Sequence, residues 1–223
     1  MYIVEKPWGY ESRLEVNSNI ALTFLNISPS SETSLHCHPV KTTSMICVSG
    51  EGEIAFFGST FRLTPGKYFT IRNGLFHQIR NLNENQYLTL FEFENPSNKD
   101  DLIRYSDTYG RTGLPYEKSI REISSFDKHA ELKNLIQRGE IFKIGNLQVK
   151  QIRGITLKDL DQLAADLYVV LEGCIIDNNS DKPVLRIGDC IGTDTLRKII
   201  TRFGGSEQIV LLHFDFGMKE LNE

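Results

Sequence analysis

The sequence predicts an all-β chain whose short strands close into a barrel or sandwich. Three observations carry this expectation. Apolar and β-branched runs of roughly four to eight residues recur along both halves, the length expected of strands. Gly, Pro, Asn and Ser punctuate those runs at short intervals, and only one segment shows helical spacing. The 223 residues are 40% hydrophobic and 24% charged, enough apolar material for a real core and far from a disordered composition. That length allows one large or two small domains.

The runs follow in chain order. Ile20–Ile27 is the first β-like run, and Ser44–Val48 stops at Ser49-Gly50-Glu51-Gly52. Glu53–Phe57 and Ser59–Leu63 follow, and Thr64-Pro65-Gly66 turns the chain into Tyr68–Ile71. His77–Asn81 and Tyr87–Phe93 close the first series. The spacing then changes. Ser124-Ser125-Phe126-Asp127 can cap a helix running to about Gln137, with Leu132, Leu135 and Ile136 on one face. It is the one helix the spacing supports, and it reads as a linker. β-like runs return at Leu147–Ile152, Leu167–Leu171 and Gln208–Phe214, with Lys158–Asp166 a short helix or a loop. Glu172-Gly173 follows a strand as Ser49-Gly50 does, and Gly188-Asp189 precedes a strand-like stretch as Gly66-Lys67 does. Tandem copies of one β-fold would produce this rhythm.

A net charge of -4 gives no reason to expect nucleic acid or an anionic membrane surface as partner. No apolar run is long enough to span a bilayer, and the first residues lack the basic and apolar regions of a signal peptide. Cys37, Cys47, Cys174 and Cys190 form no C-x-x-C pair and read as reduced thiols of a cytoplasmic protein.

The chemistry concentrates in histidine. Ser34–His38 alternates apolar and polar residues, so it is extended, and residues two apart on a strand share a face. His36 and His38 therefore aim two imidazoles at one point, while Cys37 points away. His77, in a glycine-marked turn far along the chain, can complete a set of three. Neutral imidazole suits zinc, iron, copper and nickel, and three protein ligands leave positions open for water or substrate.

These residues resemble the two motifs of the cupin superfamily. In the first, H-x-H is followed by a glutamate and a closing glycine; here His36-Cys37-His38 is followed by Thr43 at the glutamate position and by Gly50, with Ser30 at the opening glycine. In the second, Gly66, Gly74, His77 and Asn81 stand at the family's offsets, with Arg72 replacing a proline. Glu5-Lys6-Pro7-Trp8-Gly9-Tyr10-Glu11 looks like the opening segment of the cupin domain of type II mannose-6-phosphate isomerases. Asp101–Arg111 looks like its closing segment. The resemblance spans residues 5–113; no guanylyltransferase domain accompanies it, and nothing after the linker resembles that family. It implies a jelly-roll barrel over 1–118; the helical spacing and the repeated β-rhythm add a helical linker over 119–139 and a degenerate second barrel over 140–223, a bicupin. It also implies one divalent metal on His36, His38 and His77; zinc, iron, nickel and manganese are not separated by these residues. The substrate class it implies is a small sugar phosphate or nucleotide-sugar precursor.

The departure at Thr43 removes the family's carboxylate ligand. The leading reading is a metal-dependent aldose–ketose isomerase. Three-histidine sites without the glutamate also resemble cupin-type iron dioxygenases, and a non-catalytic sugar-binding cupin is the third reading. Lys41, Arg72, Arg104 and Arg111 are candidates for phosphate, Arg72 and Lys41 foremost, because guanidinium matches phosphate oxygens in pairs; the plain alternative is solvated surface charge. Glu53 and Glu92 are candidate acid–base groups if they face inward, although most strand glutamates face water, and no base is assigned. Thr43, Met45 and Cys47 share the ligand face as pocket lining or ordinary filling. Trp8 reads as a packing residue. The second half has no H-x-H: His129 falls in the helix and His213 stands alone. That half would serve packing, homodimerisation or closing one side of the first pocket.

Overall fold

The computed structural model describes residues 2–116, 120–121, 127–163 and 167–217. The chain divides into two units, Met1–Ser125 and Phe126–Glu223.

The first unit is built from β1 (Tyr2–Lys6), β2 (Gly9–Glu15), β3 (Ala21–Ile27), β4 (Leu35–Cys37), β5 (Thr42–Ser49) and β6 (Gly52–Phe56). It continues with β7 (Ser59–Leu63), β8 (Tyr68–Ile71), β9 (His77–Asn81), β10 (Leu88–Asn95), β11 (Ile103–Ser106) and β12 (Ile120–Arg121). Two antiparallel sheets result, with orders β12-β1-β2-β3-β10-β5-β8 and β11-β4-β9-β6-β7. This is the jelly-roll arrangement the strand rhythm predicts. Strand alternation sends Leu25, Met45, Cys47, Leu88 and Leu90 of the larger sheet onto Ile54, Leu63 and Ile79 of the smaller, with Trp8 among them. Each such side chain contributes about 1.5–3 kcal/mol on burial.

Two backbone positions hold the barrel's turns. Gly50 has φ +83, and a Cβ there would sit 2.4 Å from the Tyr87 carbonyl oxygen, so only glycine fits. Ser30, at the family's glycine position, itself adopts φ +53.

The second unit begins with α1 (Asp127–Arg138), followed by β13 (Phe142–Ile144), β14 (Leu147–Ile155) and a 3₁₀ turn over Leu157–Gln162. Then come β15 (Leu167–Glu172), β16 (Ile175–Asp177), β17 (Lys182–Leu185), β18 (Cys190–Gly192), α2 (Thr193–Phe203) and β19 (Ser206–Asp215). The sheet order is β13-β14-β19-β15-β18, with β16 and β17 as a separate ribbon. α1 buries Leu132 and Leu135, the face its spacing predicts. The Ser124–Phe126 part of its expected cap lies outside the described residues.

α2 corrects the expectation of a single helix. Leu196 and Ile200 are buried, and Ile199 and Phe203 pack beside them against the sheet. That is the i, i+3, i+4, i+7 stripe of an amphipathic helix, here entered directly from a strand and closed at Gly204, φ +83.

Candidate metal centre

β4 and β9 are neighbours in the smaller sheet, and their register sets His36 opposite His77. His38, two residues beyond His36, projects to the same side. The three rings converge, with centroids 4.5 Å apart for His36–His77, 4.9 Å for His36–His38 and 5.6 Å for His38–His77. One nitrogen from each lies within 4.8 Å of the others. Cys37 is buried but outside this group, as strand alternation requires.

The tautomers follow from hydrogen bonding. The Nδ1 atoms of His36, His38 and His77 lie 2.8, 2.5 and 3.0 Å from the backbone carbonyl oxygens of Ser34, Asp101 and Leu75. A carbonyl only accepts, so each Nδ1 carries the hydrogen and each Nε2 keeps its lone pair for a ligand. Nε2 of His77 is buried with no hydrogen-bond partner among the described residues. A buried acceptor left without a partner is costly, and a cation satisfies it.

Protonation agrees. Burial, then His77 and His38, pushes His36 far down. Burial, then Lys41, takes His38 to about 3, and burial takes His77 to about 4 against the rise from its Leu75 hydrogen bond. All three are neutral near pH 7, the form that binds metal. Lys41 depresses all three, which places its ammonium beside the centre.

A cavity of about 70 Å³ opens on this group and is lined by His36 and His38. At about 10–15 Å³ of such space per water, it holds several waters or part of a small organic ligand. Lys6, Lys41, Lys99, Arg104 and Arg111 line it against Glu11, Glu92 and Glu94. Asp107 pairs with Arg111, and Arg13 pairs with Glu94, so positive charge remains in excess.

Glu94 anchors the floor. It accepts from Arg13 and Lys41, its Oε2 lies 3.2 Å from Lys99 Nζ, and Thr23 donates to it at 3.3 Å. Burial alone would raise this carboxyl, but Lys99, Lys41 and Arg13 hold it well below the usual carboxylate range. Glu92, two residues earlier on the same face, goes the other way. Burial, then the Glu94 charge, raises it to about 7, the value of a group that exchanges protons at neutral pH.

The predicted residues therefore divide. His36, His38, Lys41 and Glu92 line the cavity together with Arg104 and Arg111, and His77 closes the centre behind them. Arg72 is exposed on the turn before β9 and does not line the cavity. That turn packs through its backbone, with Gly74 N–H donating to the His38 carbonyl, which leaves its side chains outside. Glu53 pairs with Arg80 on the other side of β6. Met45 lines the cavity, Cys47 fills the core, and Thr43 is buried with its hydroxyl unpartnered among the described residues.

Composition and spacing did not single out Glu94, Lys99, Glu11, Lys6 or Asp101. The Asp101 carboxylate accepts from the N–H groups of Val40 and Lys41, clamping the loop after His38. The Glu92-Phe93-Glu94 alternation was the available signal for the acidic pair.

Residues 2–107 match the family model described as mannose-6-phosphate isomerase C-terminal. The first unit has the cupin jelly-roll fold. Its similar curated proteins include the alginate biosynthesis protein AlgA of Pseudomonas putida, 28% identical over 119 residues. That alignment covers 52% of this chain and 24% of AlgA. The xanthan biosynthesis protein XanB of Xanthomonas campestris pv. campestris is 29% identical over 111 residues, 49% of this chain and 24% of XanB. The chain thus spans about a quarter of the length of the curated relatives it matches. Among solved structures, a Klebsiella pneumoniae protein with a double-stranded β-helix domain aligns at TM-score 0.40 and 18% identity, covering 44% of this chain and 84% of that one. The segments that resemble the family's opening and closing stretches supply Lys6, Trp8, Glu11, Arg104 and Arg111 to the cupin cavity.

Proposed function

We propose that the cupin unit is a divalent-metal enzyme that isomerises a phosphorylated aldose and its ketose. The observation that carries the metal is the set of three neutral imidazoles, each fixed through Nδ1 to a backbone carbonyl, with Nε2 atoms converging. The likeness to mannose-6-phosphate isomerase domains supplies the reaction class. A divalent ion held there would supply Lewis-acid polarisation of the sugar's carbonyl and adjacent hydroxyl.

The protein's own groups supply the rest. Glu92 takes the proton from the carbon beside the carbonyl and returns it to the neighbouring carbon through an enediol, which its elevated proton affinity suits. Lys41, Arg104 and Arg111 meet the phosphate, and the cationic excess draws the anion in. Arg72 would act only on a part of the substrate outside the cavity.

The test pairs elemental analysis with a turnover assay. The expected result is a bound divalent metal in the purified protein, lost in His77→Ala, and isomerisation of a hexose 6-phosphate that EDTA abolishes. Undiminished metal in His77→Ala sinks the site.

A second reading rests on Thr43, which leaves the centre without a carboxylate ligand: a three-histidine iron dioxygenase. Substrate-dependent oxygen uptake would select it, since isomerisation consumes no oxygen.

A further inference from the structure

Through the central strands the pairings of the second unit follow the register of those in the cupin, while register shifts at Arg153/Ile155 and Ile175/Ile176 are its own. The order β14-β19-β15-β18 repeats β3-β10-β5-β8. Leu90 pairs with Leu25 and Cys47; Leu211 pairs with Ile152 and Val170. A register shift follows at the same place in both, setting Ser49 against Thr89 and Glu172 against Val210. Gly50 and Gly173, one residue on, have φ +83 and +75. Gly66 N–H donates to the Cys47 carbonyl while Cys47 N–H donates to Lys67; Gly188, Val170 and Asp189 repeat that exchange. Gly52 pairs with Leu63 in the β6–β7 hairpin as Ile175 does with Leu185 in β16–β17.

Two elements break the correspondence, and they are the ligand carriers. Where the cupin has β4 with His36, the second unit has the 3₁₀ turn Leu157–Gln162; where it has β9 with His77, the second unit has α2. A cavity nevertheless persists on the same face of the sheet, at about 550 Å³. His213 sits at the register position of Glu92, Tyr168 at that of Met45 and Lys150 at that of Thr23. The His213 ring stacks on Tyr168 at 4.8 Å. Lys150 and Arg153 face Asp159 and Glu207 around the same space, so donors and acceptors are present without the cationic excess of the first cavity.

We propose that the second unit is a copy of the cupin whose metal site was lost when both ligand strands became helical, and that its cavity binds a neutral polyhydroxylated molecule of sugar size without metal. A volume of this order suits a small organic ligand, and balanced charge disfavours an anion.

The full-length protein tests this. It would be titrated with mannose, glucose, galactose and inorganic phosphate by ligand-observed NMR and calorimetry, with and without EDTA. Saturable binding of a neutral sugar is expected, unchanged by EDTA and by His77→Ala. The exposed substitutions Lys150→Glu and Glu207→Lys should weaken it about tenfold, the loss of a charge-assisted hydrogen bond. No saturable binding of any of the sugars overturns the proposal, as do loss of binding in EDTA, indifference to both exposed substitutions, or phosphate binding tighter than every sugar. Two metal ions per chain overturn the lost site. Sugar binding by a protein without metal would support this inference while refuting the isomerase reading.

Discussion

Glu94→Gln is the substitution that most directly probes the cavity floor. Gln keeps the shape of the side chain and removes its charge. The Glu94 and Lys41 side chains are each 1% exposed and that of Arg13 is 2% exposed, so the three charges sit away from solvent, with Lys99 beside them. Removing one member of a buried ionic set leaves its partners uncompensated and costs about 3–5 kcal/mol, a large share of the roughly 5–15 kcal/mol that holds a typical domain. Trp8 is the chain's single tryptophan and is buried in the core of this unit, so its fluorescence during urea denaturation reports this unit. Arg62→Ala is the control: its pair with Glu51 is 71% and 57% exposed and is worth about 0–1 kcal/mol. The sign with pH also follows. The folded carboxyl lies well below its ordinary 4.5, so its contribution is present above that value and lost as pH falls through the lower, folded value. If Glu94→Gln costs no more than Arg62→Ala at pH 7, the floor is solvated and the reasoning fails.

Four further outcomes are expected. Glu92 must be ionised to accept a proton, so isomerase kcat/KM should rise through about pH 7, and Glu92→Gln should remove both that limb and most of the activity. Because the folded carboxyl lies above its ordinary 4.5, stability should decline as pH rises from there toward about 7, a slope that Glu92→Gln flattens in denaturation curves. Cys37→Ser should leave metal content unchanged, since Cys37 stands outside the histidine group; metal loss without unfolding would show that strand alternation fails at β4. Gly50→Ala should cost about 2–4 kcal/mol through its positive φ and its 2.4 Å approach to Tyr87. Gly58→Ala shares the positive φ but has nothing within 4 Å, and should cost about 1 kcal/mol; equal losses by thermal denaturation would refute the contribution of close approach.

What was legible in the sequence obeyed local rules. His36 and His38 share a face because strand side chains alternate, and Gly50, Gly66, Gly173 and Gly188 mark turns because the backbone there adopts positive φ. The charged floor obeys no local rule. Lys6, Glu11, Arg13, Lys41, Glu94 and Lys99 come from five separate stretches of chain and are all closely enclosed, yet each alone reads as surface charge. Only the fold can show that they pair with one another and leave cationic charge over. Arg72 shows a related limit: proximity in sequence to His77 locates its backbone, while its side chain is exposed and does not line the cavity. α2 was overlooked because its apolar stripe follows β18 without a loop, so the stretch reads as a continuing strand until the spacing of Leu196, Ile199, Ile200 and Phe203 is weighed. That helix stands in place of the strand that in the cupin carries His77. The glycine turns after β5 and β15 recur in both units because the same positive φ sets them. On the proposal that the second unit is a cupin copy, a ligand strand with no metal to hold would be replaced by an amphipathic helix that buries its apolar stripe against the same sheet.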